Sequence, residues 1–304
     1  MKKLIRQILI FFIPVFIGLI LLPVNKRARF VELKDDCFNH GIWVYDRIHN
    51  NSENIDIAFL GSSHTLNGIN DKLISEKLDS LTAVNFGYCR YGRNFHYDLL
   101  QEILSEYKIK KLVVEVREGE NRSSHPIYPF IADTKDIFLN NSIANREFFY
   151  EIWTHHAYKL ELFQDKIYDQ ATKVSIRKDN YGFASHPDTA SASYLNKRKL
   201  KNSNTDTIMS DIQRNIEYKF GRDYQKKIAA LCQDNNIEIY YLFLPSFASA
   251  CGIPKEFKIY QKFGKLIIPP DSIYDDMDNW WDHGHLNFAG ADKISLWLAN
   301  ELTK

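Results

Sequence analysis

Apolar and polar positions along this chain fall into blocks of very different rhythm. From Leu4 to Leu22 the chain is apolar except for Arg6 and Gln7, and residues 24–54 are mixed and polar, with a short helix expected around Trp43 to His49. A regular alternation follows. Ile55-Asp56-Ile57-Ala58-Phe59-Leu60 reads as a buried strand ending at Gly61, Leu66 to Leu78 as a helix, and Ala83-Val84-Asn85-Phe86 as a second strand closed by Gly87. Phe95 to Tyr107 has helical spacing, with Leu99, Leu100, Ile103 and Leu104 on one face, and Lys111 to Val116 is a third strand. Short strands separated by helices of about a dozen residues predict βαβ units and a parallel sheet.

The rhythm lapses over 118–205, a stretch too long for a plain loop in a compact domain. It is expected to be a partly helical insertion over one end of the sheet, with a helix around Arg146 to Phe163. Regularity returns with a long helix from about Thr207 to Cys232. The strand Ile237 to Leu244 follows, stopped by Pro245, then a shorter helix over 255–263, a weak strand at Leu266-Ile267-Ile268 and a closing helix from Gly290 to Leu302. The pattern predicts a flavodoxin-like three-layer α/β/α domain with a central, mostly parallel sheet over residues 55–304, preceded by a linker at 24–54.

The first block reads as a transmembrane anchor over 1–23. As a helix it would run about 28 Å, close to the hydrocarbon thickness of a bilayer. A cleaved signal peptide is the rival, but no A-x-A-like site follows, and Lys26, Arg27 and Arg29 come immediately after. Basic residues flank the block on both sides, so loop charge leaves orientation open.

Composition changes this picture little. The 304 residues are 45% hydrophobic and 25% charged, ordinary for a chain with a substantial core. A formal net charge of +1, without an arginine-rich or aromatic-basic stripe, argues against nucleic acid as a partner. Four cysteines, Cys37, Cys89, Cys232 and Cys251, are too few and too scattered for a disulfide scaffold or a zinc site. Cys232 and Cys251 are expected at opposite ends of an element of roughly 30 Å, which excludes a bridge between them. A Cys37–Cys89 pair stays open beside the alternative of four inert thiols.

Candidate chemistry gathers where the predicted strands end, the edge at which open parallel sheets bind ligands. Gly61-Ser62-Ser63-His64 follows strand one, Gly87 follows strand two, and Gly119-Glu120-Asn121 follows strand three. Asp282-His283-Gly284-His285-Leu286-Asn287 precedes the last helix. A serine on a tight turn, with Asp and His three residues apart, points to nucleophilic acyl chemistry. His283 and His285 could instead ligate a metal, but no matching third and fourth ligand is evident. No cofactor is expected. His155-His156 reads as surface.

On these blocks the chain resembles the SGNH (GDSL-like) hydrolase superfamily. Gly61-Ser62-Ser63 stands where that family has its G-D-S turn, Asn85-Phe86-Gly87 matches its second block, and Asp282, His285, Leu286, Asn287 and Gly290 match its last. The third block, G-x-N-D, is met only partly by Gly119-Glu120-Asn121-Arg122, with Arg in place of Asp. The resemblance spans roughly 55–117 and 207–303 and leaves out the insertion.

That resemblance implies a triad of Ser63 as nucleophile, His285 as base and Asp282 as its orienting partner. Ser62 is the rival nucleophile, but lies in the register of the family's Asp. The oxyanion donors implied are the backbone N–H groups of Ser63 and Gly87 and the Asn121 amide. His64 could be a second base, a substrate contact or a bystander. Arg90, Arg93 and Arg117 could hold an anionic or sugar substrate, or only pair with acids. Within the superfamily the chain looks most like the membrane-anchored, extracytoplasmic acyltransferase-like and D-alanylation-protein-like members. The expected function is therefore serine-dependent O-acyl transfer or ester hydrolysis on a cell-envelope polysaccharide, outside the cytoplasmic membrane and beside a multi-span membrane acyltransferase. The competing expectation is a non-catalytic module that binds glycan or scaffolds such a complex.

Overall fold

The computed structural model describes all residues except 1, 23, 32, 34–35, 121–122, 140–144, 168–178, 203–208 and 250–251. Five strands form its sheet: β1 (Ile57–Leu60), β2 (Ala83–Asn85), β3 (Lys111–Val116), β4 (Glu238–Phe243) and β5 (Lys265–Ile267). Their spatial order is β2-β1-β3-β4-β5 and every pairing is parallel. This is the flavodoxin-like order, whose ligand crevice lies where the chain reverses direction, between β1 and β3. All three leading strand-end turns open on that edge.

Both sheet faces are covered, so the strands are apolar almost throughout, as parallel sheets require. We label the helices that build the layers and the site α1 (Lys2–Leu21), α2 (His40–His49), α3 (Ser63–Gly68), α4 (Asp71–Leu78), α5 (Arg93–Glu106), α6 (Phe148–Ile167), α7 (Lys219–Asp234) and α8 (Phe288–Glu301). One face packs Ala58, Leu60, Leu112 and Val114 with α2, α5 and α7 through Trp43, Leu100 and Ile228. The other packs Ile57, Phe59, Val113 and Leu242 with α4 and α8 through Ile74, Ile294 and Leu298. Successive strand residues therefore alternate between two cores.

The helix expected over Leu66–Leu78 is two helices. The chain turns at Ile69-Asn70, where the Asn70 side chain accepts the Leu73 N–H at 3.2 Å and caps α4. The long helix expected near 207–232 also divides, into Asp211–Glu217 and α7, and the start of the expected span lies outside the described residues.

The expected membrane span is corrected: among the described residues, no helix is long and apolar enough to cross a membrane. Lys2, Lys3, Arg6 and Gln7 occupy the first two turns of α1, so its uncharged part falls short of the roughly 20 apolar residues a span needs. The open question about cysteines resolves as a Cys37–Cys89 disulfide, which ties the segment before α2 to the loop after β2. Cys232 is a buried free thiol, and Cys251 lies outside the described residues.

Candidate active site

β1 ends in a turn too tight for any residue but glycine at position 61. A Cβ there would lie 1.9 Å from Thr65 Oγ1 and 2.5 Å from Glu115 Oε2. Glu115, near the end of β3 and 1% exposed, holds the turn from below. Its carboxylate accepts the Ser62 N–H at 2.6 Å, the Ser62 hydroxyl at 2.8 Å, the Thr65 N–H at 3.2 Å and the Thr65 hydroxyl at 2.7 Å. Ser62 is consequently the brace: it is 1% exposed, its hydroxyl is spent on Glu115, and its Oγ accepts the His64 N–H as the cap of α3. Ser63, the next residue, is turned the other way.

There the Ser63 hydroxyl lies 2.8 Å from His285 Nε2. The other ring nitrogen faces Asp282, with Nδ1 at 3.0 Å from Oδ1 and 2.9 Å from Oδ2. A carboxylate only accepts, so Nδ1 carries the proton, Nε2 is the acceptor, and the serine O–H donates to it. Asp282 also accepts the backbone N–H groups of Gly284 at 2.6 Å and His285 at 2.8 Å. Burial alone would raise its pKa, but the His285 hydrogen bond and the Gly284 N–H outweigh that and hold it at about 2. The carboxylate stays charged wherever the imidazole could act.

The histidine loop is held from several sides. Trp280 bridges Leu286 in antiparallel fashion, the Trp281 N–H donates to the His285 carbonyl at 3.1 Å, and the Trp281 ring stacks on His285 at 5.3 Å and 26°. Asn287 caps α8 by accepting the Gly290 N–H at 3.0 Å and donates to the Asp278 carbonyl at 2.7 Å. Residues 182–190, in the later part of the insertion, run as a strap across the loop. Ala184 N–H donates to Leu66 at 3.1 Å, Phe288 N–H to His186 at 3.0 Å, and Ala190 N–H to Trp280 at 2.7 Å. Buried Asp71 fixes the start of that strap, accepting the N–H groups of Asn85 at 2.6 Å and Gly182 at 2.7 Å.

His64 packs edge to face on His285 at 5.3 Å and donates from Nδ1 to the Leu244 carbonyl at 3.1 Å. Burial, then the nearby Arg117 and His285, push its pKa well below the usual value. A neutral His64 places no like charge against the His285 ring. His283 faces away and shares a hydrogen bond of 2.7 Å with the Tyr194 hydroxyl.

Other expected site residues are placed differently. Gly87 spends its N–H on Asn85 Oδ1 at 2.8 Å, because Asn85 is itself fixed by donating to the Thr65 and Ile69 carbonyls at 2.8 and 2.7 Å. Of the expected oxyanion donors, Gly87 is therefore engaged within its own turn, whereas the Ser63 N–H makes no hydrogen bond among the described residues. Asn121 lies outside the described residues. Arg93, read as a substrate contact, is fully buried and forks onto Glu120 with Nη2–Oε1 at 2.7 Å and Nε–Oε2 at 2.9 Å. It is a core ion pair without an open face. Arg90, half exposed, pairs with Asp36. Arg117 lies 4.0 Å from both Glu115 and Glu118. His155 and His156, read as surface, are buried, and His155 bonds the Pro129 carbonyl and the Thr134 hydroxyl, both at 2.9 Å.

Sequence reading missed Glu115, Trp281 and Asp71. Glu115 carried a signal, a lone acid inside an apolar strand, where an unpaired charge would be prohibitive. Trp281 and Asp71 carried none that periodicity could separate from core and helix-start residues.

No family model matches the chain. No curated protein matches it either. Among solved structures, one described as "a putative platelet activating factor from Streptococcus pneumonia" is 14% identical over 86% of this chain and 88% of its own. Its TM-score of 0.30 is too low to carry an argument about fold or activity.

Proposed function

We propose that the chain is a serine-dependent acyltransferase or esterase of the SGNH type, acting on acylated sugars of the cell envelope. The observation that carries this reading is the continuous relay from Asp282 through His285 to the Ser63 hydroxyl, with hydrogen bonds of 2.9 and 2.8 Å. A serine hydroxyl becomes a competent nucleophile only when a positioned base takes its proton. His285 Nε2 takes it as Ser63 Oγ bonds the acyl carbon, and returns it to the leaving oxygen as that bond breaks. Water or a sugar hydroxyl then attacks the acyl-enzyme by the same relay in reverse. The Ser63 N–H supports the developing oxyanion, an interaction whose loss typically costs about a hundred- to a thousand-fold in rate.

The Cys37–Cys89 disulfide supports a place outside the cytoplasm, since such bonds persist in oxidising compartments. In that setting the acyl group would come from a separate membrane acyltransferase, because activated acyl donors are made inside the cell. The test is a fluorophosphonate probe on the whole chain and on Ser63→Ala. Labelling of the wild type, lost in Ser63→Ala, is expected, and equal labelling of both removes Ser63 as the nucleophile.

A further inference from the structure

The rings beside the nucleophile continue outward as a row. Trp281 stacks on His285 at 5.3 Å, His186 lies on Trp281 at 4.2 Å and 31°, and Phe38 meets His186 at 5.6 Å. The row joins three parts of the chain distant in sequence: the histidine loop, the strap within the insertion, and the turn before α2. Its outermost ring is the informative one. Phe38 is 42% exposed and has φ 60°, between Cys37 at 49° and Asn39 at 59°. Three consecutive non-glycine residues in the left-handed region are costly, and the ring they present is left 42% exposed, meeting His186 edge to face.

The turn is nevertheless held hard. Cys37 is bonded to Cys89, the Cys89 N–H donates to Cys37 Sγ at 2.7 Å, and Asp36 accepts the Tyr88 hydroxyl at 3.0 Å and pairs with Arg90. Backbone strain that the surroundings over-determine concentrates at ligand-binding sites. Here it delivers one exposed aromatic ring to the end of a row that starts at the nucleophile.

We propose that Phe38 and His186 form the acceptor subsite of the acyl-transfer site, and that they hold a pyranose ring. This rests on the acyl-transfer reading above and adds where the acceptor's ring sits and which residues hold it. A pyranose presents a flat face of C–H groups, which packs on an aromatic ring, and a rim of hydroxyls, which the imidazole of His186 can donate to or accept from. An acyl chain would call for an aliphatic groove, and Arg90, in the loop bridged to the Phe38 turn, is already paired with Asp36. A sugar unit further along the bound acceptor, reaching past Trp281, turns one hydroxyl toward the Ser63 ester. His285 Nε2 removes that proton as the sugar oxygen bonds the acyl carbon, the bond from carbon to Ser63 Oγ breaks, and Oγ recovers the proton from His285.

The experiment uses the full chain with its disulfide intact, p-nitrophenyl acetate as donor, and maltotetraose, cellotetraose or chitotetraose as acceptor. Acetylated oligosaccharide is measured by mass spectrometry. At least one oligosaccharide is expected to be acetylated with saturation. Phe38→Ala is expected to raise its KM by about tenfold, the value of one aromatic contact, while Phe38→Tyr retains it. Circular dichroism confirms that each variant is folded. An unchanged acceptor KM in Phe38→Ala overturns the subsite, as does a wild type that hydrolyses the donor but acetylates none of the sugars or prefers a long-chain alcohol. A wild type that does not turn over p-nitrophenyl acetate overturns the acyl-transfer reading, and the subsite with it.

Discussion

Glu115→Gln tests the claim that the proposed nucleophile, Ser63, is positioned from beneath by a buried carboxylate it never touches. The wild-type side chain receives four donors, two from Ser62 and two from Thr65, and has no exposed surface. Glutamine fills the same volume but brings one acceptor and one NH2 in place of two acceptors. The hydroxyls of Ser62 and Thr65 can rotate to accept from that NH2, whereas the two backbone N–H groups can only donate. The loss is then the charge assistance on two backbone donors, about 2–3 kcal/mol in all. For a chain of this size about 1 kcal/mol moves Tm by roughly 2–4 °C, so a fall of about 4–12 °C is expected. Relaxation of the turn displaces Ser63 Oγ from His285 Nε2, and a misplacement of about 1 Å can cost a hundredfold in kcat. The assay pairs thermal melting by circular dichroism with p-nitrophenyl acetate kinetics. The reasoning predicts a drop of about 10- to 100-fold in kcat with little change in KM. A variant with wild-type Tm and wild-type kcat refutes it, and one with lowered Tm but full kcat shows that Glu115 stabilises the turn without placing the nucleophile.

Asp282→Asn keeps the shape of the histidine loop but presents an amide to His285, and kcat should fall by about four orders of magnitude, read from p-nitrophenyl acetate turnover. The Asp282 carboxyl is held at about 2, below its ordinary value. Its contribution to stability is therefore complete above the ordinary carboxylate range and is lost as pH falls through about 2, and an acid melt of Asp282→Asn should lack that component. Glu120→Gln leaves Arg93 charged in the core without its partner and should cost about 3–5 kcal/mol by urea denaturation, while the KM for acceptor sugar stays unchanged because Arg93 does not reach the site. Replacing Cys37 and Cys89 by serine opens a loop whose ends are 52 residues apart, which should lower stability by about 4 kcal/mol in non-reducing buffer. Equal urea midpoints for the two forms would mean that the bridge restrains nothing.

Much of the sheet was written locally. A strand buried on both faces must be apolar along its length, so β1, β3 and β4 were legible as short apolar runs, and the helices between them as stripes at helical spacing. The serine turn and the Asp282–His285 spacing were legible for a related reason: hydrogen-bond reach within one tight turn or one loop is a matter of residue type and separation. The apolar rhythm of the N-terminal block misled, because the helix includes Lys2, Lys3, Arg6 and Gln7 and ends at Leu21, so its uncharged stretch is shorter than the apolar run suggested.

What each polar group is spent on was decided by tertiary structure alone. Arginines after strands two and three look alike in sequence, yet Arg93 is sealed into an ion pair and Arg90 sits on the surface beside Asp36. Gly87 N–H was available to an oxyanion on paper and is taken by Asn85 in space. Which of two adjacent serines is free depends on an acid 53 residues away that captures the first. The physical reason is common to all of these. Periodicity encodes which face of an element is buried, because that choice repeats along the chain, whereas a hydrogen bond or ion pair between distant segments is made once, by whichever groups the packed sheet brings within about 3 Å.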